Sequence, residues 1–277
     1  MWVGQQLADG LDFWGFLGSL ILGGIILGIY TGLLGYVGAK TGLSLDLLSQ
    51  RAFGEKGSYL PSAMTSFTQI GWFGVGSFVS GGTATPNFAR FAKNGKSGAI
   101  TTVVAFFIGN SLMFFFGAVS SIFVGGNDIF EVMVRLNLFY LAVLVLGLNI
   151  WTTNDNALYT AGLANIFHQR KKPMVLLSGI IGTVASVWLY YNFCGWLNIL
   201  NCTLPPVGTI LVLAYFMNKE DFETDQPKLK TVDWFAVAGV ILGAIVANIL
   251  HWGIASINGM VVAAVCYCVG QAVNKRK

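Results

Sequence analysis

The chain has 277 residues, of which 55% are hydrophobic and only 10% are charged, and its formal net charge is +4. Soluble domains carry about 25% charged residues, so this composition leaves too little polar surface for a water-soluble enzyme. Disorder is excluded as well, because disordered chains are polar and rich in charge. The composition therefore predicts an all-α, polytopic membrane bundle, whose unit of organisation is the membrane-spanning helix.

Long uncharged stretches separate short clusters of charged residues along the chain. A span needs about 20 apolar residues, and the uncharged stretches 173–218 and 234–274 are each long enough for two spans. The sequence therefore predicts eight hydrophobic segments, which are 13–39, 60–84, 97–124, 136–163, 173–191, 196–217, 233–251 and 255–273.

The loops between these segments differ in their content of lysine and arginine, which marks the cytoplasmic side of a membrane protein. The basic loops are 40–56, 90–96, 170–172, 219–230 and the tail 275–277. From residue 97 onward basic and non-basic loops alternate, which predicts a multi-pass protein with a cytoplasmic C-terminus.

Segment 60–84 breaks this alternation because a basic loop flanks it on each side. Either the segment enters the membrane and returns to the same side, or the topology is irregular. Five glycines within twelve residues leave room for a break in the helix, because each glycine weakens a helix by up to about 1 kcal/mol. They are Gly71, Gly74, Gly76, Gly81 and Gly82.

The densest polar run inside a segment is 149–156, in which six of eight residues are polar. On a helix Asn149, Thr152 and Thr153 share a face, and Asn154 lies to one side. Their hydroxyl and amide oxygens are hard ligands that suit alkali or alkaline-earth cations. The alternative is that they form hydrogen bonds between helices. The density of the run favours a binding site.

A second polar run, 68–80, contains Gln69 and Trp72, which are three residues apart and can share a helix face. An amide beside an aromatic ring suits a flat ligand such as a nucleobase. The pattern of this pair alone, however, favours packing between helices, with Gln69 as a hydrogen-bonding partner. The sequence contains no P-loop, HExxH, GxSxG or carboxylate pair, so neither ATP-driven transport nor an enzymatic activity is supported.

These two runs and three further stretches carry a resemblance that covers nearly the whole chain. The chain resembles bacterial cytosine permeases of the nucleobase:cation symporter-1 family. The matching stretches are 27–43, 69–76, 109–114, 146–159 and 179–183. The resemblance implies a leucine-transporter-type fold of two inverted five-helix repeats followed by two extra helices. It also implies secondary active cytosine uptake across the bacterial inner (cytoplasmic) membrane.

The resemblance further implies sodium as the coupling ion and no other cofactor. The expected partners are a small nucleobase, the lipid bilayer and a possible full-length permease copy, with no role for nucleic acid. The implied substrate-binding residues are Gln69 and Trp72 of the third helix, Ser77, Phe78 and Ser80 of the sixth, and Asn149 and Asn154 of the eighth. The implied sodium ligands are Thr152 and Thr153, with Asn149.

This chain departs from the family pattern in two places. Residues 1–12 resemble only the outer half of the first helix, and at Gly76–Ser77 the chain passes from the middle of the third helix into the middle of the sixth. The resemblance thus implies an incomplete fold: a remnant of the first repeat over 1–76, the second repeat over 77–217 and two extra helices over 218–277.

This departure leaves two interpretations of function open. One is sodium-coupled uptake of cytosine or a related base. The other is a non-transporting, truncated permease remnant, or a membrane subunit that regulates or pairs with a full-length permease. The second follows from alternating access, which requires one helical bundle to move against another around the substrate.

Overall fold

The computed structural model describes residues 12–75, 84–125, 129–160, 171–224, 227, 229–250 and 252–274. The regular structure of these residues is helical, and no strand occurs among them. The helices are α1 Phe13–Thr41, α2 Leu45–Phe53, α3 Tyr59–Val75, α4 Pro86–Ala89, α5 Gly95–Val104, α6 Asn110–Val124, α7 Ile129–Arg135, α8 Phe139–Thr160, α9 Lys171–Tyr191, α10 Phe193–Met217, α11 Lys219–Glu223, α12 Trp234–Ile249 and α13 Ala255–Asn274.

Every predicted hydrophobic segment has a helical counterpart, which confirms the all-α membrane bundle. A π-helical turn, Ala105–Gly109, joins α5 to α6. Among the residues that the structure describes, five helical runs are long and apolar enough to cross a membrane, and Phe139–Asn149 and Trp234–Ile249 are shorter apolar helices. The five are Phe13–Thr41, Gly95–Arg135, Lys172–Leu189, Gly195–Met217 and Ala255–Asn274.

Helices α1 and α5 cross with their backbones in direct contact at two glycines. A Cβ added to Gly35 would lie 3.1 Å from the Gly98 carbonyl oxygen, and one added to Gly98 would lie 2.9 Å from the Gly35 carbonyl oxygen. Small residues at such a crossing allow the close van der Waals packing that drives helix association in lipid.

Helix α10 connects two separate apolar clusters. Its second half belongs to a large core with α1, α2, α12 and α13, and its first half packs with Leu189 of α9. The α10 members of the first cluster are Val207, Ile210, Leu211, Ala214 and Tyr215, and those of the second are Trp196, Leu200 and Leu204. The boundary falls at Pro205 and Pro206, which lie inside the helix.

The two prolines change the hydrogen bonding of α10. Proline has no N–H, so Pro205 leaves the carbonyl of Asn201, four residues earlier, without its helical donor. The hydroxyl of Ser256 on α13 donates to that carbonyl oxygen at 3.1 Å. The ring of Pro206 lies 3.2 Å from the positions that Cβ atoms of Gly243 and Gly259 would take, so α12 and α13 both approach α10 here.

Backbone hydrogen bonds tie the α2–α3 loop to the segment that precedes α12. The N–H of Glu55 donates to the Lys230 carbonyl at 2.8 Å, and that of Lys56 donates to the Thr231 carbonyl at 2.9 Å. Gly54 between α2 and this loop has φ +86°, and a Cβ there would lie 2.6 Å from the Lys230 oxygen. The loops 54–58 and 229–233 therefore meet at one end of the bundle.

The loop before α5 lies at the same end. The Nζ atom of Lys40, at the end of α1, lies 3.8 Å from Oε1 of Glu223. Glu223 ends α11, which precedes the segment 229–233. A Cβ at Gly95 would lie 3.3 Å from the Lys40 Cβ, so the start of α5 is adjacent to the end of α1. The basic loops that flank segment 60–84 thus lie at one end of the molecule, as the charge pattern requires.

Candidate functional site

Helix α3 presents a buried polar face that leads to Gln69. Ser62, Ser66 and Gln69 follow one another at spacings of four and three residues, so they share one face of the helix. They are respectively 1%, 1% and 6% exposed, and Thr65 beside them is 2% exposed. A buried amide at this position has the donor and acceptor groups that the edge of a flat polar ligand needs.

The hydroxyls on this face are mostly satisfied within their own helix. Thr65 donates to the Pro61 carbonyl at 2.8 Å, and Ser66 donates to the Ser62 carbonyl at 2.7 Å. Such bonds use the hydroxyl hydrogen and leave an oxygen that can still accept. The face of α3 that precedes Gln69 therefore carries polar but uncharged side chains.

Ser62 differs because it bonds to another helix. Its hydroxyl donates to Asp46 Oδ1 of α2 at 2.8 Å. Local sequence patterns do not predict this pair. A weak signal for it existed, since Asp46 is the single acid among 13–54 and precedes the serine-rich start of α3. The bond holds the N-terminal end of α3, where the polar face that leads to Gln69 begins.

Helix α3 packs against α8 and α9, so residues 68–75 of the first polar run and the second run, 149–156, lie on contacting helices. Trp72 lies on α3 less than one turn beyond Gln69, as predicted, but the described side chains of α3 end at Gln69. The packing brings together the helices that carry the two runs.

Helix α8 contains the whole run 149–156. Its helical backbone preserves the predicted spacing of Asn149, Thr152 and Thr153 on one face. The side chain of Asn149 is exposed. The side chains of Thr152, Thr153 and Asn154 lie outside those that the structure describes, and their roles stay predictions.

The predicted sixth-helix contacts, Ser77, Phe78 and Ser80, lie outside the described residues. Over the described ranges the structure contains no group of three or more His, Cys, Asp or Glu side chains that could hold a metal ion. The two polar runs offer amide and hydroxyl oxygens, with Asp155 as the one acid in their sequence. Hard oxygen ligands of this kind fit an alkali cation.

The apolar helices and the buried polar face between packed helices define a multi-pass membrane protein of the transporter class. The fold is similar to the solved structure of Mhp1, a nucleobase-cation-symport-1 family transporter in a closed conformation with bromovinylhydantoin bound. The TM-score is 0.75 at 14% sequence identity, and the match covers 97% of this chain and 87% of that chain. The fold is therefore the incomplete inverted-repeat, leucine-transporter-type bundle that the sequence predicts.

The chain belongs to the family of permeases for cytosine/purines, uracil, thiamine and allantoin, whose sequence model matches residues 1–84 and 75–272. It is 36% identical to the cytosine permease of Escherichia coli K12 over 372 residues, which cover 100% of this chain and 88% of the relative. It is also 34% identical to the allantoin permease of Bacillus subtilis 168 over 82 residues, or 30% of this chain and 16% of that relative.

The alignment length also shows that the E. coli relative is longer than this chain. The alignment to the E. coli permease extends over 372 positions, whereas this chain has 277 residues, so the relative contains internal sequence without a counterpart here. The two matches to the family model overlap over residues 75–84, and this overlap includes the predicted Gly76–Ser77 junction. The sequence resemblance and its internal deletion are thus confirmed.

Proposed function

We propose that this chain is a cytosine permease that couples uptake of the base to sodium. The observation that carries the proposal is the buried amide of Gln69. This amide lies on the polar face of α3, and α3 packs against α8. The 36% identity to the E. coli cytosine permease over the whole chain favours cytosine over other bases.

In this proposal the substrate is held by its edge and by its faces. Gln69 donates to and accepts from the polar edge of the base, and Trp72 stacks on one face. Phe78 covers the other face, and Ser77, Ser80, Asn149 and Asn154 supply further polar contacts. A ligand with alternating donors and acceptors is favoured because a base without them would leave the buried amide unpaired.

Sodium would be held by Thr152, Thr153 and Asn149, which one face of α8 presents together. The bound cation supplies charge next to a neutral substrate site, and the two ligands then raise each other's affinity by the same factor. In this proposal the chain's own residues provide hydroxyl and amide oxygens, which are hard ligands that suit an alkali cation.

We place the protein in the bacterial inner membrane, with the basic loops and the C-terminus in the cytoplasm. Loops 54–58, 90–95 and 229–233 gather at one end of the bundle and contribute Lys56, Arg90, Lys93 and Lys230 there. This supports the orientation, because lysine and arginine mark the cytoplasmic side.

The test is uptake of radiolabelled cytosine by proteoliposomes that contain the purified chain. We expect accumulation with an inward sodium gradient and not with an equal potassium gradient. Gln69→Ala should abolish accumulation. Accumulation no greater than that of protein-free liposomes would contradict transport by this chain, and equal accumulation with potassium would contradict sodium coupling.

A second candidate is a non-transporting relative that associates with a full-length permease. The internal sequence that the E. coli relative has and this chain does not favours it, because alternating access requires two helical bundles to move around the substrate. Co-purification of this chain with a tagged full-length cytosine permease would support this candidate if the proteoliposomes show no uptake.

A further inference from the structure

The turn between α4 and α5, residues 90–94, together with Lys96 forms a basic surface that the transport proposal does not use. Arg90, Lys93 and Lys96 lie within seven residues, and the sequence contains no Asp or Glu between Glu55 and Asp128. Lys93 and Lys96 are exposed. Neither forms an ion pair with an acid of the described residues, so their charges face outward.

An exposed aromatic ring lies between these cations. Phe91 is 73% exposed, and the guanidinium carbon of Arg90 lies 4.6 Å from the centroid of its ring. Phe88, one turn earlier, is 44% exposed. A polar loop that exposes a large ring among cations is typical of the membrane–water interface, where the ring lies among acyl chains and the charges lie among headgroups.

The turn is held in place by contacts on both sides. The side chain of Asn94 accepts a hydrogen bond from the Ser97 N–H at 2.8 Å and so caps α5. A Cβ at Gly95 would lie 2.8 Å from the ring of Tyr36, so the turn lies directly against α1. The contact places Lys40 next to the turn as a fourth cation, whose ammonium nitrogen lies 3.8 Å from a carboxylate oxygen of Glu223. A surface fixed in this way loses little conformational entropy when it binds.

We propose that this surface, formed by Arg90, Phe91, Lys93, Lys96 and Lys40, binds the headgroup of an anionic phospholipid in the leaflet that the basic loops face. Clusters of four or more cations beside a membrane span favour anionic lipid, by about 1 kcal/mol for each lysine or arginine near the surface. The surface lies at the end of α1, a membrane-length helix, and at the start of the run that begins at Gly95, so a headgroup is within reach. Phe91 distinguishes a lipid from a free phosphate because only a lipid has acyl chains for the ring.

The test is native mass spectrometry of the purified chain in a neutral detergent with equal amounts of phosphatidylglycerol and phosphatidylcholine. We expect the unmodified chain to retain phosphatidylglycerol preferentially. Lys93→Gln/Lys96→Gln should weaken that affinity by about tenfold or more. The matched control is Lys56→Gln/Lys172→Gln, which removes two exposed lysines from other basic loops and should leave the preference intact.

Two further arms separate a lipid from a simple anion. Phe91→Ser keeps every charge and should still weaken retention of phosphatidylglycerol, whereas excess glycerol 1-phosphate should not displace the lipid. The proposal is overturned if both lysine double variants lose phosphatidylglycerol equally, if the unmodified chain shows no preference for it, or if glycerol 1-phosphate competes as well as the lipid. The readout is independent of transport, so a failed uptake assay leaves the inference standing.

Discussion

The ring of Tyr30 on α1 occupies the space in which a side chain at Gly208 of α10 would begin. The hydroxyl oxygen and the outer ring carbons of Tyr30 are the atoms nearest to a Cβ placed at Gly208. The same hydroxyl donates to the Leu204 carbonyl at 3.4 Å. Helices α1 and α10 are therefore joined just after the two prolines, where α10 passes from one apolar cluster to the other.

This contact predicts that Gly208→Ala destabilises the protein, because the added methyl group displaces the Tyr30 ring. We expect a loss of about 1–3 kcal/mol in the free energy of unfolding, measured in detergent. Gly195→Ala is the matched control on the same helix, since nothing lies within 4 Å of a Cβ there. A Gly208→Ala protein as stable as the control would contradict the contact, whereas Tyr30→Leu should restore part of the loss.

Gly54 tests the connection between the α2–α3 loop and the segment before α12. Its φ of +86° and ψ of 170° lie in a region that only glycine occupies readily, and a Cβ would also meet the Lys230 oxygen. Gly54→Ala should therefore lower the midpoint of thermal unfolding more than Gly42→Ala does. Gly42 also has a positive φ, +68°, but open space around it. Equal effects would mean that the neighbouring backbone does not constrain Gly54.

The hydrogen bond between Ser62 and Asp46 predicts a measurable coupling between α3 and α2. Ser62→Ala and Asp46→Ala should each cost about 1–2 kcal/mol of stability, and the double variant should cost less than their sum. Ser120→Ala serves as a control, because that hydroxyl bonds only to a carbonyl of its own helix in an exposed position. Full additivity in the double-mutant cycle would exclude a direct interaction.

The arrangement of loops predicts the labelling of single cysteines in a chain whose four native cysteines are replaced. Cysteines at positions 56 and 96 should react with an impermeant maleimide from the same side of the membrane, the cytoplasm. A cysteine at position 252, whose tryptophan is 81% exposed between α12 and α13, should react from the opposite side. Labelling of positions 56 and 96 from different sides would make segment 60–84 a complete span.

The sequence predicts the long helices well because apolar content and gaps between charges determine them. Segment 13–39 corresponds to Phe13–Thr41, and segment 255–273 corresponds to Ala255–Asn274. The short helix α2 and the π-helical turn Ala105–Gly109 were not predicted. Their positions depend on contacts with distant parts of the chain, which local periodicity does not contain.

The sequence predicts only part of the candidate site, because local patterns do not contain contacts between distant parts of the chain. A buried Gln69 on a helix is foreseeable from an amide in an apolar segment, and so is the helical spacing of Asn149 and Thr152. The packing of α3 against α8 and the bond from Ser62 to Asp46 are not, because they join residues that are separate in sequence. The sequence resemblance links the two polar runs to one ligand, and the packing of their helices is consistent with that link.

Equilibrium binding of radiolabelled cytosine to the purified chain tests the central claim most directly. We predict saturable binding in sodium that weakens in choline, and a loss of at least about tenfold in affinity for Gln69→Ala. Gln271→Ala removes a similarly buried amide from α13, where Gln271 is 8% exposed, and should leave binding unchanged. Absence of saturable binding, or equal losses in the two variants, would contradict a nucleobase site on α3.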